Sequence, residues 1–293
     1  MITEELLPDE DFRFHFGLQP GAAAAFFGRS ADHDRLIQQR HQWLADEPDT
    51  YSALRPEGEP LLQETFNLAR QWGALPASES CSSQGEEAQA EAGSSQSLLT
   101  SAATTHGPPL PHCRALGRMW EPDFLLLKPD RSGEFRLVAA CVCFPSAWRL
   151  SEKMGQPLAA IHAPVPSLNP ALGRSIQQFL AKLRPGPAWL RSNWGLSRSP
   201  ELNQHPDRNL PRLTPPLTLD EVWLRIEHQA LVALPETGGI LFGIRLEMIS
   251  LAEVKQNAAA ANGLLRALRT MPEDIAAYKN LSAARANLME LLQ

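Results

Sequence analysis

Hydrophobic and polar positions alternate most clearly in the second half of the chain. In VWLRIEHQALVALP (222–235) and ILFGIRLEMISL (240–251) apolar side chains recur with a period of two, and ETGG lies between them. That pattern predicts an antiparallel hairpin. DFLLLKP (123–129), a DRSG turn and EFRLVAACVCFP (134–145) predict a second hairpin. AWLRSNWGL (188–196) is a further strand candidate, and DFRFHFG (11–17) alternates weakly, as a short strand would. Helical spacing appears at Leu36, Ile37, Arg40, Trp43 and Leu44, and again at Leu62, Thr65, Phe66, Ala69 and Trp72, predicting amphipathic helices over 34–46 and 60–73. A short helix is expected around SAWRLSEKMG (146–155). Asn169 and Pro170 have the order of an N-cap and first helical residue, before an apolar stripe of Ile176, Phe179, Leu180 and Leu183 that Pro185 ends. Ser250 with Glu253 and Thr270 with Glu273 have capping-box spacing, and the last helix is expected to turn Ile275, Tyr278, Leu281 and Leu288 inward.

Hairpin-joined strands interleaved with helices predict an α+β fold with an antiparallel sheet, not a doubly wound one. Between the first helices and the first hairpin, residues 76–109 are rich in Ser, Ala, Glu and Gly and poor in aromatics. Such a stretch buries too little apolar surface to offset its ordering entropy. The expected organisation is an N-terminal helical and strand extension (1–75) packing on the core, a flexible insertion (76–109), and an α+β core with C-terminal helices (110–293).

Composition narrows the function classes. The net charge of -6 supplies no basic face for a nucleic-acid backbone. No apolar stretch reaches membrane-spanning length, and the acidic start MITEELLPDEDF lacks the basic-then-apolar order of a signal peptide, so a cytoplasmic location is expected. Of the four cysteines (Cys81, Cys113, Cys141, Cys143), Cys141 and Cys143 fall on one face of a strand, and reduced buried thiols are expected. There is no C-x-x-C, no G-x-G-x-x-G after a strand, no Walker A sequence and no HExxH. A dinucleotide loop, a zinc ribbon and common hydrolase machinery therefore have no support.

Three groups of residues can carry chemistry. His162 lies in HAPVP (162–166), where prolines stiffen the chain, and a neutral imidazole is a good iron ligand. Trp148, Leu158, Ile161 and Val165 nearby suit an apolar cofactor slot, although a lone histidine bonded to a backbone carbonyl is the plainer alternative. Arg225, Glu227 and Gln229 occupy alternate positions of one strand and share a face, with Leu224, Ile226 and Val232 on the other. The polar face is either solvated or a polarised pocket, in which an arginine hydrogen-bonds bound oxygen or an anion and a carboxylate holds a cationic amine. In WLRSNW, Arg191, Asn193 and the indole of Trp194 are candidate donors to cofactor carboxylates or substrate, with simple packing of the tryptophans as the alternative. Lys153 and Arg149 lie close enough in sequence to His162 to meet carboxylates, or else form a solvated helix face.

CFPSAWRLSEKMGQPLAAIHAPVP (143–166), LRSNWGL (190–196), LRIEHQALVALPETGGILFGIR (224–245) and RTMPEDIAAYKNL (269–281) resemble the α subunit of the haem-dependent oxidative N-demethylase family. The resemblance covers roughly residues 116–281. Glu121-Pro122-Asp123 and His228 depart from the family's pattern. The resemblance implies a PAS-like antiparallel sheet cradling haem b. It implies oxidation of a small secondary amine, dimethylamine, by O2, with electrons from NADPH passing through separate FMN and 2Fe-2S reductase subunits. On this chain it implies His162 as the axial iron ligand, Arg225 and Glu227 as catalytic groups, and Lys153, Arg191, Asn193, Trp194 and Gln229 around the cofactor. A haem-binding PAS-type sensor without turnover is the alternative on the same scaffold.

Overall fold

A long hairpin forms the frame of the molecule. In the computed structural model, which describes residues 6–75 and 113–293, Trp223–Ala233 (β6) and Ile240–Ser250 (β7) pair along their whole length. Asp123–Pro129 (β3) and Phe135–Cys141 (β4) form the second hairpin, and β3 joins β7. Ala188–Ser197 (β5) lines up on the other side of β6. Two three-residue strands, Gln19–Gly21 (β1) and Ser52–Leu54 (β2), close the edges. The result is a seven-stranded antiparallel sheet of order β1-β5-β6-β7-β3-β4-β2.

The helices are α1 (Ala23–Phe27), α2 (His33–Asp46), α3 (Pro48–Tyr51), α4 (Glu59–Gln71), α5 (Cys113–Met119), α6 (Leu158–His162), α7 (Arg174–Lys182), α8 (Leu251–Gln256), α9 (Ala258–Thr270), α10 (Glu273–Tyr278) and α11 (Arg285–Leu292). Together with the sheet they make an α+β fold. Strand alternation divides the packing. Phe124, Leu126, Val232 and Leu241 face the N-terminal helices, burying Phe27, Leu44 and Leu62. Leu224 and Ile226, on that same face of β6, meet α8 to α11. Leu125, Leu127, Leu231, Phe242 and Ile244 point the other way, towards α6 and α7. None of the described helices is long and apolar enough to cross a membrane.

Several local expectations are corrected. Residues 11–17 form no strand. Phe12 and Phe14 pack on the C-terminal helical core and Phe16 meets Phe179 edge-on at 5.3 Å, so this alternating run is an extended strap with no ladder partner. The helix expected around 146–155 shrinks to a single 3-10 turn, Leu150–Glu152, between Ala147 and Gly155, both at positive φ. Thr270 opens no helix: it ends α9, its hydroxyl donates to Arg266 O at 2.9 Å and accepts from Phe12 N at 2.8 Å, and Pro272 occupies the N-cap of α10. Ser250 does close its capping box. The last helix is two, because Asn280 turns the chain at φ 57°, and Tyr278 is 46% exposed instead of facing inward. Cys113, Cys141 and Cys143 are buried free thiols. The insertion 76–109 and Cys81 lie outside the described residues.

Candidate functional site

The register of β5 against β6 assembles the polar face. Arg191 lies opposite Gln229, Asn193 opposite Glu227, and Gly195 opposite Arg225. Side chains directly across an antiparallel pair share a face, so Arg191, Asn193, Arg225, Glu227 and Gln229 form one patch. Trp194 does not join it. It lies opposite Ile226 on the reverse face and packs with the C-terminal helical core.

Across from this patch, α6 and α7 stand off from the sheet and leave a cavity of about 1870 Å³. That is larger than the ~300–1,000 Å³ usual for a small-molecule site. Its apolar wall includes Leu127, Ile161, Val165, Ile176, Phe179 and Phe242. Trp148 and Leu158 also line it, as expected of the residues flanking His162. Residues 12–16 of the N-terminal strap run along its rim.

His162 lies on this wall, as the last residue of α6 instead of in a loop; Pro157 occupies the helix N-cap and Pro164 follows two residues on. No side-chain hydrogen bond occupies its imidazole among the described residues. Burial, then the positive charges of Arg191 and Lys153, push its pKa below the ordinary value, so the ring is neutral near pH 7. Arg191 is likewise without a hydrogen-bond partner; burial lowers its pKa while Glu227 opposes that shift. The ammonium of Lys153 reaches only Ile161 O, at a long 3.5 Å. Arg149 turns away to pair with Asp207.

Arg225 is differently placed. It is 4% exposed, and its guanidinium donates to Ser146 Oγ, Leu202 O and Phe144 O, each at 2.8 Å. Burial lowers its pKa to about 10, against the opposing pull of Glu227 and Asp123. Ser146 passes the connection on: its hydroxyl donates to Glu227 Oε1 at 2.6 Å, while Gln229 Nε2 donates to Oε2 at 3.0 Å. The Glu227 carboxylate is thus clamped from both sides.

Two members of the site escaped the sequence. Ser146 follows the second hairpin as an unremarkable Ser in CFPS, with no local signal of its role. Lys279 lies in PEDIAAYKNL, where a single lysine near a helix end gives no local sign of a role. Its ammonium donates to Trp194 O at 2.7 Å and lies 5.1 Å from the centroid of the Trp194 ring.

Residues 26–289 match the family model described as haem-dependent oxidative N-demethylase, alpha subunit-like. The match runs from α1 to α11, so the N-terminal helices that cover the sheet belong to the family's unit along with the strands that build the cavity. The chain belongs to the haem-dependent oxidative N-demethylase, alpha subunit-like family.

Proposed function

We propose that this chain is the haem-bearing subunit of an oxidative N-demethylase acting on a small secondary amine of the dimethylamine type. The observation that carries the reading is a neutral, unpartnered His162 on the wall of a large, mainly apolar cavity, with the cations Arg191 and Lys153 within electrostatic reach. These residues fit a haem. A haem iron asks the protein for as little as one imidazole. Among the described residues no three His, Cys, Asp or Glu side chains gather as a bare metal ion would require. The apolar wall suits a porphyrin, and Arg191 and Lys153 suit its carboxylates. The antiparallel sheet with α6 and α7 over one face supports a PAS-like cradle.

When bound, haem supplies the one-electron and oxygen chemistry. In the proposed reaction a methyl group leaves the amine as formaldehyde, one atom of O2 ends as water, and NADPH provides two electrons through a reductase partner carrying FMN and a 2Fe-2S centre. The chain's own residues bind and orient. Glu227, fixed by Ser146 and Gln229, accepts the N–H of the protonated amine and holds its charge. Asn193, directly opposite Glu227, adds a neutral hydrogen-bonding group on the same face. Arg225 positions Glu227 through Ser146, because its N–H groups are engaged with carbonyls and that hydroxyl. The apolar wall and the strap of residues 12–16 limit water around the bound amine.

A visible spectrum of the protein expressed with haem supplied, followed by amine-dependent O2 consumption with a reductase, tests the reading. Wild-type protein is expected to retain haem and consume O2 when amine is added, and His162→Ala to lose most of its haem. A variant with an unchanged ferrous spectrum would remove His162 as ligand. Haem retained by the wild type without amine-dependent O2 uptake would favour a sensor or binding module.

A further inference from the structure

The cavity wall and the chain as a whole carry opposite charge. The protein's net charge is -6, yet ten Lys and Arg and only three Glu line the cavity. Carboxylates outside the wall answer Arg149, Arg198 and Arg245. At the polar patch the excess remains, with Glu227 as the carboxylate facing Arg191, Arg225 and Lys279.

Lys279, at the polar patch, has no task in the proposed function. Lys153 and Arg191 surround His162 and match the haem carboxylates of the proposed function, and Arg225 is engaged with carbonyls. Among the described residues the ammonium of Lys279 rests on Trp194, by its carbonyl and its ring, and forms no ion pair with a carboxylate. Glu227 in turn is bonded to Ser146 and Gln229. The two opposite charges still sense each other: burial pulls the Lys279 pKa down and Glu227 pushes it up. Both side chains line the cavity, and among the described residues no hydrogen bond or ion pair joins them.

A simple dialkylammonium gains at Glu227 and loses beside Lys279. A zwitterion gains at both, and complementary charge placement discriminates between ligands of similar size. We propose that the cavity selects a zwitterionic N-methyl α-amino acid, its secondary ammonium on Glu227 and its carboxylate on Lys279, over a simple dialkylamine. This rests on Glu227 as the amine anchor in the proposed function.

Calorimetric titration of the haem-loaded protein with N-methylglycine and with dimethylamine tests it. N-methylglycine should bind at least about tenfold more tightly, the scale of one charge-assisted hydrogen bond. Lys279→Met should erase that preference and leave dimethylamine binding equal or stronger, while Lys279→Arg should keep it. Thermal unfolding of each variant separates lost binding from lost folding, and the wild-type comparison needs no variant at all. Dimethylamine binding as tightly as N-methylglycine overturns the zwitterion proposal and leaves the amine site standing. Binding of neither ligand to protein that retains haem overturns both, and a chain that takes up no haem fails earlier, in its spectrum.

Discussion

Two charged clusters in this molecule solve opposite problems. In the first, Arg40 is fully buried and donates to Gly117 O at 2.7 Å, Glu121 O at 3.2 Å and Asp123 Oδ1 at 2.6 Å. Asp123 also accepts from Cys143 N and Phe144 N at 2.7 and 2.9 Å. Glu121 takes Arg245 and His33 at 2.6 Å each and Ser30 N at 2.8 Å. Every charge there has a partner, and the cluster ties α2, β3 and β7 together. In the cavity, among the described residues, the neutral His162 and the cation Arg191 have no hydrogen-bond partner, and the cation Lys279 leans on one carbonyl and one ring. A buried charge left unanswered costs stability. A protein that keeps the half-buried cations Arg191 and Lys279 on a cavity wall without a carboxylate bonded to either is arranged for a ligand that answers them. Glu121 and Asp123, on either side of Pro122, fall in the first cluster, where their bonds hold the fold together.

The sharpest way to break this contrast is to remove one partner from each cluster. Asp123→Ala strands the buried Arg40 charge and should cost about 3–5 kcal/mol, a large share of the ~5–15 kcal/mol typical of a domain. Arg191→Ala removes a half-buried cation that has no hydrogen-bond partner among the described residues, so ligand-free stability should hold or rise, while haem affinity falls. Urea unfolding of both ligand-free variants decides the matter. Equal losses would mean that Arg191 is as structural as Arg40.

The same contrast explains which features were legible in the sequence. The two hairpins and β5 were, because a period of two with turn residues between is a local pattern. The edge strands β1 and β2 were not, since three residues carry no period. The alternating phenylalanines of 11–17 have the pattern of a strand without the partner that makes one. The shared face of Arg225, Glu227 and Gln229 follows from alternation, and His162 stands out by the prolines that follow it. That Arg191 and Asn193 join that face depends on the β5–β6 register, which no local signal fixes. Trp194 sits between Asn193 and Gly195 on a strand, so alternation alone already separates it from Asn193's face. Ser146 was invisible because its meaning comes from a bond to Glu227, 81 residues away. For Arg225 the strand face was legible but the partners were not, and those partners make it a positioning group.

Ser146 offers a smaller and more selective test. Ser146→Ala leaves Arg225 Nε without its acceptor and Glu227 Oε1 without its donor, a loss of about 1–3 kcal/mol. Haem content should not change, because Ser146 touches neither His162 nor Arg191. Amine affinity should fall, because Glu227 loses one of the two groups that hold it. Ser146→Thr keeps the hydroxyl and should restore both stability and affinity. Equal amine affinity in the alanine variant would show that Glu227 needs no such support.

The smallest expected effect is a pH slope. Burial, Arg191 and Lys153 hold the His162 pKa below the unfolded value of about 6.5. As pH falls below about 6.5, the unfolded chain binds a proton that folded His162 does not, so stability drops until the lowered folded pKa is reached and then levels off. Above about 6.5 both states are neutral and the group contributes no slope. His205, also lowered by burial, adds to the slope in the same window. His162→Gln should therefore flatten the dependence of ligand-free stability on pH below about 6.5 without abolishing it, by at most ~1.4 kcal/mol per pH unit, the limit for one proton. If His162→Gln leaves the wild-type slope intact, the imidazole titrates as it would in water, and the cavity wall does not hold it neutral for a ligand.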